Sequence, residues 1–245
     1  MRHVERLAGE HACRRRQHPA RFATDRPINQ LAADCCETYA DKTLERMELT
    51  APDAETSYQR HAQRMTVDGI PIEVVGIGPI RGPAVVMLTS SRSRGVVDRV
   101  CERLQVAALH PLVVIVDQRI APETVMRLLA TVGLQTAVLV GDRTGGQLAW
   151  QLAAAHPGRF TGLVVIDAGH PGVADVSGVI SDSTCPAVRL NTTAIVSTSC
   201  ARAVARASQR LVYGDFRLAE TCSPRPTLLS VAQVSSEIVL RTIGW

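Results

Sequence analysis

Ala137-Val138-Leu139-Val140-Gly141-Asp142-Arg143-Thr144-Gly145-Gly146-Gln147-Leu148-Ala149-Trp150 decides the fold. A short apolar run, the mark of a strand buried on both faces, meets a turn bracketed by glycines. A helical pattern follows directly. A strand that turns this sharply into a helix lifts one side chain above the sheet, and the side chain at that apex is Arg143. Residues 146–155 form the helix behind it, stopped by His156-Pro157-Gly158.

The same alternation extends in both directions. Upstream, Leu112-Val113-Val114-Ile115-Val116 reads as a buried strand closed by Asp117-Gln118-Arg119. A helix follows over residues 122–132, with Pro122 in its first turn and Gly133 as its cap. Earlier still, Ala84-Val85-Val86-Met87-Leu88 is a strand, residues 89–94 a polar loop, and residues 96–106 a helix with apolar side chains at Val96, Val97, Val100 and Leu104. Before these, Met65-Thr66-Val67 and Ile70-Pro71-Ile72 flank Asp68-Gly69, a strong hairpin signal. Downstream, Gly162-Leu163-Val164-Val165-Ile166 is a further strand, ending in Asp167-Ala168-Gly169-His170-Pro171. Residues 173–184 read as a connection, 186–196 as a strand, 199–211 as an Arg-bearing helix, 216–220 as a short strand and 228–243 as the closing helix. Strands alternating with helices give βαβ units, a mostly parallel sheet and helices on both faces. Ligands of such sheets bind beyond the carboxyl ends of the strands, here residues 89–94, 117–119, 142–145 and 167–170.

Composition narrows the class. At 245 residues with 46% apolar residues, the chain can bury one large α/β core. Only 3% are aromatic, so that core rests on Val, Leu, Ile and Ala. The net charge of +4 lies wholly in residues 1–26, which hold seven arginines against three acidic residues. Residues 1–60 read as a basic, flexible extension with a short helix over 31–47, and residues 61–245 as the domain. No aromatic platform alternates with the arginines, so nucleic acid is not the expected partner, although a basic arm is the one feature that would contact it. No apolar run approaches a membrane span, and no signal segment follows the arginines. The seven scattered cysteines form no Cys-x-x-Cys and no ligand spacing, so no metal site is expected. Reduced thiols in the cytoplasm are the simplest reading.

Residues 65–171 resemble the α/β-hydrolase superfamily. The resemblance rests on the hairpin before the first parallel strand, Asp117-Gln118-Arg119, the Gly141/Gly145 frame of a nucleophile elbow, Ala149-Trp150, His156-Pro157-Gly158-Arg159 and Val165-Ile166-Asp167-Ala168-Gly169. The resemblance implies an α/β-hydrolase-like sheet with an N-terminal β-hairpin. The short interval between Pro171 and Cys185 leaves room for a small cap or none. It also implies hydrolysis of an ester, amide, epoxide or carbon–halogen bond by a nucleophile, a histidine and an acid, with no cofactor.

Each of those three positions departs from the pattern. Arg143 occupies the nucleophile position, and an arginine stays protonated and cannot attack. The strand end expected to carry the acid offers Asn191, Thr192 and Ser197. No histidine follows His170 anywhere in the chain. Thr89-Ser90 replaces the His-Gly that would precede the oxyanion hole, whose backbone donors would come from Ser90 and Thr144. The reading favoured here is a hydrolase fold that has lost its reaction. Such a protein would bind a small anion or a protein partner through Ser90, Arg92, Arg119, Arg143, Thr144 and Gly145, around a helix N-terminus. A plainer version has Arg143 paired with Asp142, Asp117 or Asp167, plugging the pocket. The alternative is an active ester or epoxide hydrolase with relocated groups: Ser90 or Ser91, Asp167 and His170. Against it stands the simpler view of His170 as a surface-loop histidine. Cys185, Cys200 and Cys222 would serve as nucleophiles only beside a base.

Overall fold

The computed structural model describes residues 60–77, 82–221 and 228–243. The basic segment 1–26 and the helix expected over 31–47 lie outside them. β1 (Arg60–Val67) and β2 (Ile70–Ile77) form the expected hairpin. Its two-residue turn takes φ 55° at Asp68 and 78° at Gly69, the conformation that twists with the strands. β1 starts five residues earlier than the apolar pattern suggested, because Arg60 still pairs with Ile77. Backbone pairing at an edge does not need apolar side chains.

β3 (Ala84–Thr89) leads through a 3₁₀ turn at Ser91–Ser93 into α1 (Arg94–Val106), so the polar loop is shorter than expected. β4 (His110–Ile115), α2 (Pro122–Thr131), β5 (Ala137–Asp142), α3 (Arg143–Ala155) and β6 (Phe160–Ile166) follow. Gly133 closes α2 at φ 73°. The chain then passes through β7 (Thr192–Val196), α4 (Ser199–Ser208), β8 (Phe216–Glu220) and α5 (Leu228–Thr242). The eight strands lie in the order β1-β2-β4-β3-β5-β6-β7-β8. β2 runs antiparallel to β4, and every pairing from β4 through β8 is parallel.

Strand periodicity divides the core in two. On β3, Val86 and Leu88 face one side with Leu128 and Leu129 of α2, Trp150 and Leu152 of α3 and Ala205 of α4. Val85 and Met87 face the other, against Val97 and Leu104 of α1 and Val231 and Ile238 of α5. Helices therefore cover both faces, and the six residues of β3 are all buried. Burying each such Val or Leu contributes roughly 1.5–3 kcal/mol, which is how a core this poor in aromatics holds together.

Two expected elements are shorter than their sequence patterns. The strand read over 186–196 is regular only from Thr192; Val188 makes a single bridge to Val212, and the Pro186 carbonyl is turned toward His170. The helix read over 199–211 ends at Ser208 and finishes as a 3₁₀ turn at Gln209–Leu211. Its start is marked by the Thr198 hydroxyl, which accepts the Ala201 N–H at 3.1 Å. Residues 167–191 contain no helix and no strand, so the connection from β6 to β7 carries no helical cap. Among the described residues no helix is long and apolar enough to cross a membrane.

Candidate functional site

The site is built by the turn between β5 and α3. Arg143 takes φ 46°, the left-handed region that L-residues avoid at a cost of about 1–2 kcal/mol. Two glycines permit the turn. A Cβ on Gly141 would lie 2.4 Å from the Gly145 carbonyl oxygen, and one on Gly145 would lie 2.1 Å from that of Leu88 on β3. The turn is thus pressed onto its own strand and the next. The helix starts at Arg143 rather than at Gly146, because the left-handed apex turns the chain into α3 within one residue. Arg143 and Thr144 are exposed at the tip and Gly145 is buried beneath it.

Two of the three carboxylates proposed to neutralise Arg143, Asp117 and Asp167, are engaged elsewhere. Asp117 accepts from the Arg119 guanidinium at 2.6 and 3.1 Å and from the Arg119 backbone at 2.9 Å, which holds its carboxyl below the usual range. Asp167, itself at φ 48°, accepts the Ser197 amide at 2.8 Å and the Ser197 hydroxyl at 2.6 Å. The buried Oδ1 of Asp142 has no hydrogen-bond partner among the described residues. Among the described residues Arg143 makes no ion pair, with Asp142, Asp117 and Asp167 included.

His170 is not a surface residue: it is 1% exposed. The Gly172 N–H donates to Nδ1 at 3.0 Å, so the ring proton sits on Nε2 and is donated to the Pro186 carbonyl at 2.9 Å. The ring packs edge-on against Trp150, with centroids 5.3 Å apart. Trp150 is fully buried and donates from its indole nitrogen to the Ala168 carbonyl at 3.2 Å. Burial holds the imidazole below its ordinary pKa, and hence neutral.

The remaining candidates spread along the strand ends. Ser90 is half-buried after β3, and its carbonyl accepts the Ser93 N–H at 3.1 Å. Ser91 and Arg92 are exposed in that turn. Arg94 is bound to Glu73 at 2.6 Å and Arg119 to Asp117, so neither offers a free charge. A hollow of about 300 Å³ lies at the elbow. It is lined by Arg143, Thr144 and Gln147 of α3, by Asp167, Ala168 and Gly169 after β6, by Asp175 and Val176, and by Ala201 and Val204 of α4. Of the six expected ligand-binding residues, Arg143 and Thr144 line it; Ser90, Arg92, Arg119 and Gly145 do not. Asp175 and Val204 escaped the sequence reading. The one available signal was Asp175-Val176-Ser177, an Asp two residues before a Ser, which closes an Asx turn here. Among the described residues no three His, Cys, Asp or Glu side chains gather as metal ligands.

No family model matches the chain, and no curated protein matches it in sequence. Solved structures do match in shape. Epoxide hydrolase A from Mycobacterium thermoresistibile superposes with a TM-score of 0.58 at 11% identity, over 76% of this chain and 99% of that one. A loop variant of a haloalkane dehalogenase from Bradyrhizobium elkanii gives 0.59 at 12%, over 75% and 97%. A CIB-like hydrolase from Thermoplasma acidophilum gives 0.57 at 9%, over 76% and 99%. The chain has the α/β-hydrolase fold. At the turn between β5 and α3 this chain presents the guanidinium of Arg143. The strand end after β7 presents Ser197, hydrogen-bonded back to Asp167. The segment before the closing helix, residues 222–227, lies outside the described residues and contains no histidine.

Proposed function

We propose that this is a non-hydrolytic α/β-hydrolase-fold protein that binds a small carboxylate where the fold's reaction would begin. One observation carries the reading. Arg143 stands at the elbow apex in a strained conformation, lining a hollow and making no ion pair among the described residues. Strain of this kind persists where the surrounding structure enforces it and marks functional positions. A guanidinium there binds a planar carboxylate through two parallel N–H groups, and the first-turn amides of α3 and the Thr144 hydroxyl add donors beside it. Asp167 and Asp175 line the same hollow, so a singly charged carboxylate fits better than a phosphate dianion.

The alternative, an ester or epoxide hydrolase with relocated groups, requires His170 as a base. Both ring nitrogens of His170 already have partners, and its burial disfavours the imidazolium that proton abstraction would create. A serine such as Ser90 or Ser91 without a base remains a neutral alcohol.

Thermal unfolding in rising acetate, with chloride at matched ionic strength, tests the proposal. Acetate at ten times its dissociation constant stabilises the folded protein by about 1.4 kcal/mol, and Arg143→Ala abolishes the effect. Equal shifts in both proteins would remove the idea.

A further inference from the structure

The hollow at Arg143 does not end at Asp175. It shares Asp175, Val176 and Val204 with a second, larger groove of about 700 Å³. That groove runs between the loop over residues 172–176 and one face of α4, where Ala203, Val204 and Ala207 point toward it, and it reaches Leu211. Its lining is mostly apolar.

The charges of the smaller hollow are arranged in an unusual way. Arg143, Asp167 and Asp175 line one cavity, yet no ion pair links Arg143 to either aspartate. Opposite charges are held apart rather than allowed to meet. Asp175 is fixed by its own loop: its Oδ1 accepts the Ser177 amide at 2.8 Å, the Ser177 hydroxyl at 2.6 Å and the Val179 amide at 3.0 Å. These bonds keep the carboxyl ionised, and none of them uses Oδ2. A bare anion entering this space would meet two carboxylates as well as the guanidinium. A ligand with both signs of charge would meet its complement on each side, and an apolar substituent would continue into the groove beyond Asp175.

We propose that the ligand is a zwitterion of the α-amino-acid type with an apolar side chain. Its carboxylate sits at Arg143 and Thr144, its ammonium group at Asp175 beside Asp167, and its side chain between the 172–176 loop and α4. This rests on the carboxylate-binding reading above and adds the ammonium and apolar contacts to it. The combined space falls in the range of small-ligand sites.

Calorimetric titration of the full chain with four probes separates the parts. Leucine carries all three features. N-acetylleucine lacks the ammonium, leucinamide lacks the carboxylate, and glycine lacks the side chain. Leucine binds at least tenfold more tightly than each of the other three. Asp175→Asn keeps the Oδ1 acceptor that the 175–179 turn requires and removes the charge. It weakens leucine about tenfold and does not weaken N-acetylleucine, whose carboxylate then meets one negative charge fewer. Ala203→Trp narrows the groove and removes the preference for leucine over glycine. N-acetylleucine binding as tightly as leucine would overturn the zwitterion inference while leaving the carboxylate reading standing. Leucinamide binding as tightly as leucine would overturn both, and so would no binding of any probe.

Discussion

An imidazole that is 1% exposed and neutral carries a pH dependence that can be signed. His170 titrates near 6.5 in an unfolded chain and lower in the folded one, because burial penalises the charged ring. Below about pH 6.5 the unfolded state therefore binds more protons than the folded state, and stability falls as pH falls. Above that pH the contribution of the neutral ring is complete. Denaturant melts between pH 7 and pH 5 should show the loss, and His170→Gln, which cannot titrate, should have a shallower slope over that window. Identical slopes would mean that His170 titrates alike in the folded and unfolded chains, so that burial and the Gly172 N–H donated to Nδ1 do not hold the ring neutral. The position of Arg143 could be read directly from the glycine frame, since the motif is local. The burial of His170 could not. It depends on a carbonyl sixteen residues away and on Ser208 of α4, whose hydroxyl accepts the His170 amide at 2.9 Å. A loop of polar character gives no sequence sign of where it will be covered.

Between elements, α3 lies close against β3, β5 and β6. Gly146 has no room for a Cβ either: it would lie 2.4 Å from that of Ala168. Gly145 and Gly146, in the first turn behind the apex, thus both bear directly on neighbouring segments, and the helix N-terminus is positioned by contact rather than by a capping side chain. Gly145→Ala should force α3 away from β3 and destabilise the protein by about 3 kcal/mol, as overpacking does. Gly158→Ala is the control: nothing lies within 4 Å of its Cβ, and stability should change by no more than about 0.5 kcal/mol. Urea denaturation of both variants decides the matter; a mild Gly145 variant would show that the elbow has slack. At this scale the sequence was informative where period and punctuation agreed, as at Pro122 and Gly133 around α2. It misled where apolar residues continued past the backbone pairing. Pro186 has no N–H to give a ladder, and Val188 turns to Val212, so a run of suitable residues yields only the short β7.

Across the whole molecule, the sheet order β1-β2-β4-β3-β5-β6-β7-β8 is what brings the ends of β5, β6 and β7 to one edge. Periodicity announces parallel βαβ units but not that order, which depends on pairings between distant segments. The consequence is that hydrolysis in this scaffold needs three groups from three distant segments, and replacing one cannot restore the set. Arg143→Ser places a hydroxyl at the apex, on a turn whose strained geometry suits a nucleophile. No histidine follows residue 170 to take its proton, and the ring of His170 is bound at both nitrogens. Triad enzymes stripped of their residues lose about a millionfold in kcat, keeping only what binding and oxyanion donors provide. The Arg143→Ser protein should accordingly turn over p-nitrophenyl acetate within about tenfold of the wild-type background, and a fluorophosphonate should leave the introduced hydroxyl unlabelled. Rapid labelling at position 143 would reveal a base among the segments not described, and the account of a hydrolase fold turned to ligand binding would then have to be given up.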